Sequence, residues 1–254
     1  MNLLKFHNGN LKLAPNIFTM SLPAGKTCPG AKECLSMAIE TPEGWRIKDG
    51  PNCLFRCHTA IDEAIKPSVR NSRWHNFNLL KGLSRNQMID LIEKSLPRPN
   101  WKFLMRVGVS GDYYNQAYFD AWLEVSHNHP ETLFYSYTKS IPFWLKRKHD
   151  LPENFRLTAS WGGKFDDLII PNRLRSCKVV FTEQQAAWWG LELDHDDSHA
   201  YDGVEGPEGN FAILLHGSQP AGTPASAAWQ ALKKNGRGGY HNPRGSSFNY
   251  SKKI

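Results

Sequence analysis

Residues 101–140 read WKFLMRVGVSGDYYNQAYFDAWLEVSHNHPETLFYSYTKS, from Trp101 to Ser140. An apolar β-type run, Phe103 to Val109, comes first, and Leu133 to Tyr137 forms a second. Between them Tyr118, Trp122 and Val125 recur at helical spacing within Tyr114 to Ser126. A strand, a helix and a strand in this order form a βαβ unit, whose two strands run parallel because the helix returns the chain to the same end of the sheet. Further runs at Phe155 to Ala159, Lys178 to Phe181 and Phe211 to Leu215, with a helix over Ile141 to Lys148, continue the alternation. The pattern predicts an α/β fold, a partial β/α barrel-like parallel sheet.

In such sheets the ligand site lies beyond the carboxyl ends of the strands. Those ends carry Ser110, Gly111 and Asp112, then Thr138 and Lys139, Ser160, Thr182 and Glu183, and His216. Each has an ordinary reading: Asp112 caps a helix, Lys139 is solvated, Glu183 opens a helix. Taken together, an acid, a cation, hydroxyls and an imidazole at one edge are what an enzyme site requires. Asp112, Lys139 and His216 are the candidates for proton transfer, and Ser110, Gly111 and Thr138 for holding a cofactor.

Toward the N-terminus, Pro15, Pro23, Gly25, Pro29, Gly30, Pro42, Gly44, Gly50 and Pro51 interrupt regular structure and predict a loop-rich cap over residues 1–100. Helices return at Asp62 to Ile65 and at Ser84 to Leu96, where Ser84 is the N-cap, Met88, Leu91, Ile92 and Leu96 share a face, and Pro97 ends the run. Four of the five cysteines fall in this cap as Cys28-x5-Cys34 and Cys53-x3-Cys57. Clustered thiols in a chain with no secretory leader point to metal or redox chemistry rather than disulfides. Soft sulfur selects zinc or an iron–sulfur cluster, and the wide first pair does not match a zinc knuckle. Cys177, beside a predicted strand, reads as a core thiol.

Composition sets the remaining bounds. Hydrophobic residues make up 40% and charged residues 22% of 254, enough for a sizeable core in one domain spanning 1–254, with a β/α core at 101–235 and a basic tail at 236–254. No apolar run is long enough to span a membrane and the start lacks a secretory core, so the expected location is the cytoplasm. The formal charge of +7 is concentrated in Lys233, Lys234, Arg237, Arg244, Lys252 and Lys253. That tail is either an electrostatic handle for nucleic acid or a solvated terminus, and the absence of a nucleic-acid motif favours the latter. The acidic stretch around His195 and His199 is read as a solvated loop in preference to a divalent-ion site. The tryptophans are read as core rather than as a base-stacking platform.

Several ordered motifs carry a family resemblance. Ser21-Leu22-Pro23-Ala24-Gly25-Lys26-Thr27-Cys28-Pro29-Gly30-Ala31, Phe55-Arg56-Cys57-His58-Thr59-Ala60, Ser110-Gly111-Asp112-Tyr113-Tyr114 and Tyr135-Ser136-Tyr137-Thr138-Lys139 resemble the bacteriophage family called gene product eighty-eight, over roughly Ser21 to Thr182. The resemblance implies an iron–sulfur protein in the phage-infected host cytoplasm, with Cys28, Cys34 and Cys57 as ligands. His58-Thr59 stands where the pattern has an aromatic residue and alanine. Cys53 has no firm counterpart: four ligands close a cubane, whereas three leave one iron open to a substrate. The expected function is a [4Fe–4S] lyase or desulfidase acting on a small amino acid or thiol, with a host reductase as a possible partner. The alternatives are a radical S-adenosylmethionine relative, which lacks its usual Cys-x3-Cys-x2-Cys loop here, and a nucleic-acid-binding accessory protein whose cap is held by a metal such as zinc.

Overall fold

The computed structural model describes residues 2–9, 13 and 16–236. In chain order the elements are β1 (His7–Asn8), β2 (Ile17–Met20), β3 (Ser36–Thr41), β4 (Gly44–Asp49), α1 (His58–Ile65), α2 (Pro67–Leu80), α3 (Arg85–Ser95), β5 (Leu104–Val107), α4 (Gln116–Asn128) and β6 (Leu133–Thr138). They continue with α5 (Ile141–Leu145), β7 (Phe155–Ser160), β8 (Ser176–Val180), α6 (Glu183–Trp188), β9 (Glu192–Leu193), α7 (Ser198–Tyr201), β10 (Phe211–Leu214) and α8 (Pro224–Lys234). One eight-stranded sheet takes the order β1-β2-β5-β6-β7-β8-β10-β9, and β3 pairs with β4 in a separate hairpin. All neighbours in the large sheet are parallel except β1 and β2. From β2 through β5, β6, β7 and β8 each strand of the sheet lies beside the one before it, and β10 then inserts between β8 and the edge strand β9, a partial β/α barrel-like winding left open between β1 and β9.

Alternation along the strands divides two cores. Met105, Val107, Phe134, Phe155, Leu157 and Ala159 face the layer that includes Leu80, Met88, Ile92, Phe119 and Trp122. Leu104, Tyr135, Cys177 and Phe211 face the other way, toward Ile17 and Ala200. Trp122 and Trp144 are buried as expected of core residues, whereas Trp188 is 78% exposed.

The first hundred residues hold more regular structure than their proline and glycine content predicts. β1 and β2 belong to the main sheet rather than to a cap, with Ile17 opposite Leu104 and Met20 opposite Val107. α2, fourteen residues long, is absent from the sequence reading. Its buried face includes Arg70, Ser72, Arg73 and Asn76 beside Phe77 and Leu80, so the apolar period that marks a helix is diluted by polar residues with partners. α3 starts as predicted, Ser84 and Gln87 forming a reciprocal capping box. The predicted 141–148 helix ends earlier, at Leu145.

The acidic stretch after β9 is not a solvated loop. Asp194 and Asp197 are buried; Asp194 accepts the backbone N–H of Asp197 at 2.9 Å, and Asp197 pairs with Arg106. His199 Nδ1 lies 3.0 Å from Asp194 Oδ1 and Nε2 lies 3.1 Å from Glu192 Oε2, and these hydrogen bonds push its pKa up to about 9 from 6.5. A raised histidine contributes stability that is fully present below pH 6.5 and is lost as pH rises through about 9. The wild type is therefore expected to lose about 1 kcal/mol across that window, discounted for solvent screening, while His199→Gln stays flat in denaturant unfolding measured against pH. Lys233 and Lys234 end α8, and the rest of the basic tail, beyond residue 236, lies outside the described residues.

Candidate metal centre

The carboxyl edge of the sheet is sewn together by two charged side chains. Asp112, just past β5, accepts from Tyr113 N at 2.7 Å, from Thr138 Oγ1 at 2.6 Å and from Lys139 N at 2.9 Å, tying β5 to the end of β6. Lys139 in turn donates from Nζ to Ser160 O at 3.0 Å, to Ser160 Oγ at 2.7 Å and to Trp161 O, tying β6 to β7. An ammonium has three protons, and all three are engaged. Burial raises the Asp112 pKa against the opposing pull of these hydrogen bonds and of Lys139. The sequence reading treats both as proton-transfer groups; in the structure their hydrogen bonds fasten the edge, with Thr138 one of their partners.

The Cys28 to Cys34 segment lies across this edge. Asp112 N donates to Thr27 O at 3.2 Å, Lys164 N to Gly30 O at 2.8 Å, and Glu33 N to Gly162 O at 2.9 Å, so the segment contacts the ends of β5 and β7. Two glycines permit the approach. A Cβ on Gly30 would lie 2.2 Å from Lys139 O, and one on Gly111, at φ +79, would lie 2.4 Å from Thr27 Oγ1. Gly111 thus serves close packing, and Ser110 donates from Oγ to Glu63 Oε1 at 3.3 Å. Gly111→Ala is expected to cost about 2–4 kcal/mol, read as a lowered melting temperature, because steric contact and a left-handed backbone act together.

The second pair of thiols lies on a segment bonded to the first, Leu54 N and Phe55 N both donating to Glu33 O at 2.8 and 3.2 Å. Cys53 Sγ donates to Phe55 O at 3.2 Å and lies 3.5 Å from Ser36 Oγ, which also accepts Cys57 N at 3.3 Å. Cys57 is the N-cap of α1, and its sulfur lies 3.1 Å from Thr59 Oγ1. α1 is fixed from behind by buried Glu63, which accepts from Ala24 N at 2.8 Å and pairs with Arg73 at 2.8 Å.

The four thiols share one electrostatic environment. Burial raises the Cys28 thiol well above its ordinary range, and the charges of Asp112, Cys57 and Cys34 raise it further. Burial pushes Cys34 up to about 11; Lys139 opposes this, while Cys57 and Cys53 add to it. Burial also raises Cys53. None of the five cysteines is bridged, and Cys177 sits apart, 2% exposed, within β8. Among the described residues no three or more Cys, His, Asp or Glu side chains are spaced to hold a single metal ion. A lone tetrahedral ion needs all its ligands within one bond length, whereas the four ligands of a cubane bind four different irons and stand further apart.

His216 stands at the end of β10, its Nδ1 3.0 Å from Leu214 O and its Nε2 2.8 Å from His58 Nδ1. A carbonyl only accepts, so Nδ1 of neutral His216 carries its proton and Nε2 accepts from His58. The strand-end histidine is thereby joined to the residue after Cys57. His58 is absent from the sequence-derived site; the adjacent Cys57-His58 pair was the available signal. Gln219 completes the clasp, accepting Arg56 N at 2.7 Å and donating to Arg56 O at 3.2 Å.

An open, singly wound α/β sheet with a thiol-bearing cap across its carboxyl edge defines the class of protein. The family model described as Gene product 88 matches residues 2–235, and the chain belongs to that family. It is 23% identical over 112 residues to the "Gene 88 protein" of Mycobacterium phage L5, a match covering 41% of this chain and 47% of the relative. The chain thus spans about half the length of that curated relative. No solved structure matches it. Among the described residues, no helix is long and apolar enough to cross a membrane.

Proposed function

We propose that the protein is an iron–sulfur protein holding a [4Fe–4S] cluster on Cys28, Cys34, Cys53 and Cys57, and that it acts as a lyase or desulfidase on a small amino acid or thiol. The observation that carries the reading is that the four cap cysteines are unbridged and that the segment bearing Cys28 and Cys34 crosses the sheet edge where α/β proteins place ligands. When bound, such a cluster with an accessible iron supplies Lewis acidity to a substrate donor atom. Lys139 places its charge beside Cys34 and offsets the negative charge of a thiolate-bound centre. The His58–His216 pair is the group that holds a proton near Cys57, a role for which Asp112 and Lys139 are too fully engaged. Electron supply by a host reductase belongs to the same proposal. Iron, acid-labile sulfide and zinc should be counted in anaerobically purified protein: iron with equal sulfide supports the reading, and stoichiometric zinc without sulfide overturns it.

A further inference from the structure

The amino end of the sheet, opposite the edge held by Asp112 and Lys139, carries a cleft of about 440 Å³. It is bounded by the segment that leads from α3 into β5 and by the turn that leads from α4 into β6. Its floor is apolar, with Leu96 and Phe134 buried, whereas Arg98, Trp101 and Lys102 on its rim are exposed. Pro97 and Pro99 keep the rim segment out of helix, since neither ring can continue the hydrogen-bond ladder of α3. Trp101 departs from the core reading of the tryptophans, at 42% exposed. Phe18 backs it, with ring centroids 5.7 Å apart and planes 15° from parallel, and Phe103 meets it edge-on at 6.4 Å. One face of the indole is thus covered and fixed, and a flat ring laid on the other would continue the stack. Among the described residues, neither the Arg98 nor the Lys102 side chain has an ion pair or hydrogen-bond partner. The carboxylates of Glu93 and Glu131 meet His129 instead, at 2.7 and 3.4 Å.

We propose that this cleft binds single-stranded nucleic acid, one base stacking on Trp101 while Arg98 and Lys102 contact the phosphates that flank it. A backed aromatic face beside two unpaired cations is complementary to an unpaired base on a polyanion, and a duplex, whose bases are stacked inside, offers no such ring. The formal charge of +7 on the chain favours the same class of partner. The cleft is separate from the basic tail and from the cap thiols, and it stands without the iron–sulfur reading.

Fluorescence anisotropy of a short labelled oligothymidylate, titrated with the full chain, provides the test. Arg98→Gln and Lys102→Gln remove no internal contact, so the melting temperature should hold. Each should weaken binding by about threefold to tenfold at low salt and lower the slope of log affinity against log salt by about 0.7. Trp101→Ala should weaken binding by about tenfold or more, and Trp101→Phe, which keeps a ring on Phe18, should restore most of the loss. Ultraviolet cross-linking should attach the oligonucleotide to the peptide that contains Trp101. Unchanged affinity and salt slope in Arg98→Gln and Lys102→Gln, or cross-links confined to residues beyond 236, would assign nucleic acid to the basic tail and overturn the proposal. Equal affinity for a duplex of the same length removes the stacked base, thymidine monophosphate that competes as well as the oligonucleotide replaces the strand by a free nucleotide, and no binding at low salt overturns the site outright.

Discussion

Cys28→Ser and Cys57→Ser are each expected to abolish cluster binding and to destabilise the protein by about 5 kcal/mol or more, roughly 10–20 °C in melting temperature. Cys28 lies in the segment that crosses the ends of β5 and β7, and Cys57 is the N-cap residue of α1, so a centre on both thiols would tie these two pieces of backbone together. A metal that organises a loop-rich segment contributes its binding free energy to folding. Cys177→Ser serves as the internal control, because its sulfur faces the second core and is remote in role from the cap. It should keep its full iron and sulfide content. Iron analysis beside thermal unfolding reads both effects, and a Cys28→Ser protein with unchanged iron refutes that ligand assignment.

Asp112→Ala should lower stability by about 3–5 kcal/mol, because Thr138 Oγ1 and the N–H groups of Tyr113 and Lys139 lose their common acceptor inside the protein. Lys139→Met keeps the length of the side chain but leaves Ser160 O and Trp161 O without their donor, and a loss of similar size is expected. Both variants should also loosen the cap, since Thr27 O takes its hydrogen bond from Asp112 N and Gly30 packs against Lys139 O. Urea unfolding measures the first effect, and protease sensitivity around Cys28 to Cys34 measures the second. Unchanged midpoints in both would return Asp112 and Lys139 to the role of free proton donors at an exposed edge.

Much of this architecture was legible in the sequence, and the physical reasons for the rest are specific. The runs that became β5, β6, β7, β8 and β10 announce themselves because each is largely buried and so is rich in apolar and β-branched residues, with only scattered polar positions such as Arg106, Arg156 and Lys178. β2 did not, because a four-residue strand at Ile17–Met20 carries little pattern of its own and is defined by pairing with β5, far along the chain. α2 was hidden by Arg70, Arg73 and Asn76, polar residues buried with partners that no linear pattern reveals. The thiol spacing drew attention to the cap, and the sequence order placed Asp112, Thr138 and Lys139 at the carboxyl edge where the structure has them. Their roles were not legible, since whether Lys139 is available or fully hydrogen-bonded depends on carbonyls twenty-odd residues away. Nor was the partnership of His58 with His216, which lie 158 positions apart.

The central claim, that the cap thiols converge to hold one iron–sulfur cubane, is tested most directly by Mössbauer spectroscopy of anaerobically purified, iron-isotope-enriched protein. The account predicts about four irons per chain in a single sulfur-coordinated cluster, accompanied by about four sulfides. A spectrum of isolated or adventitious iron, with stoichiometric zinc on the same thiols, would contradict it.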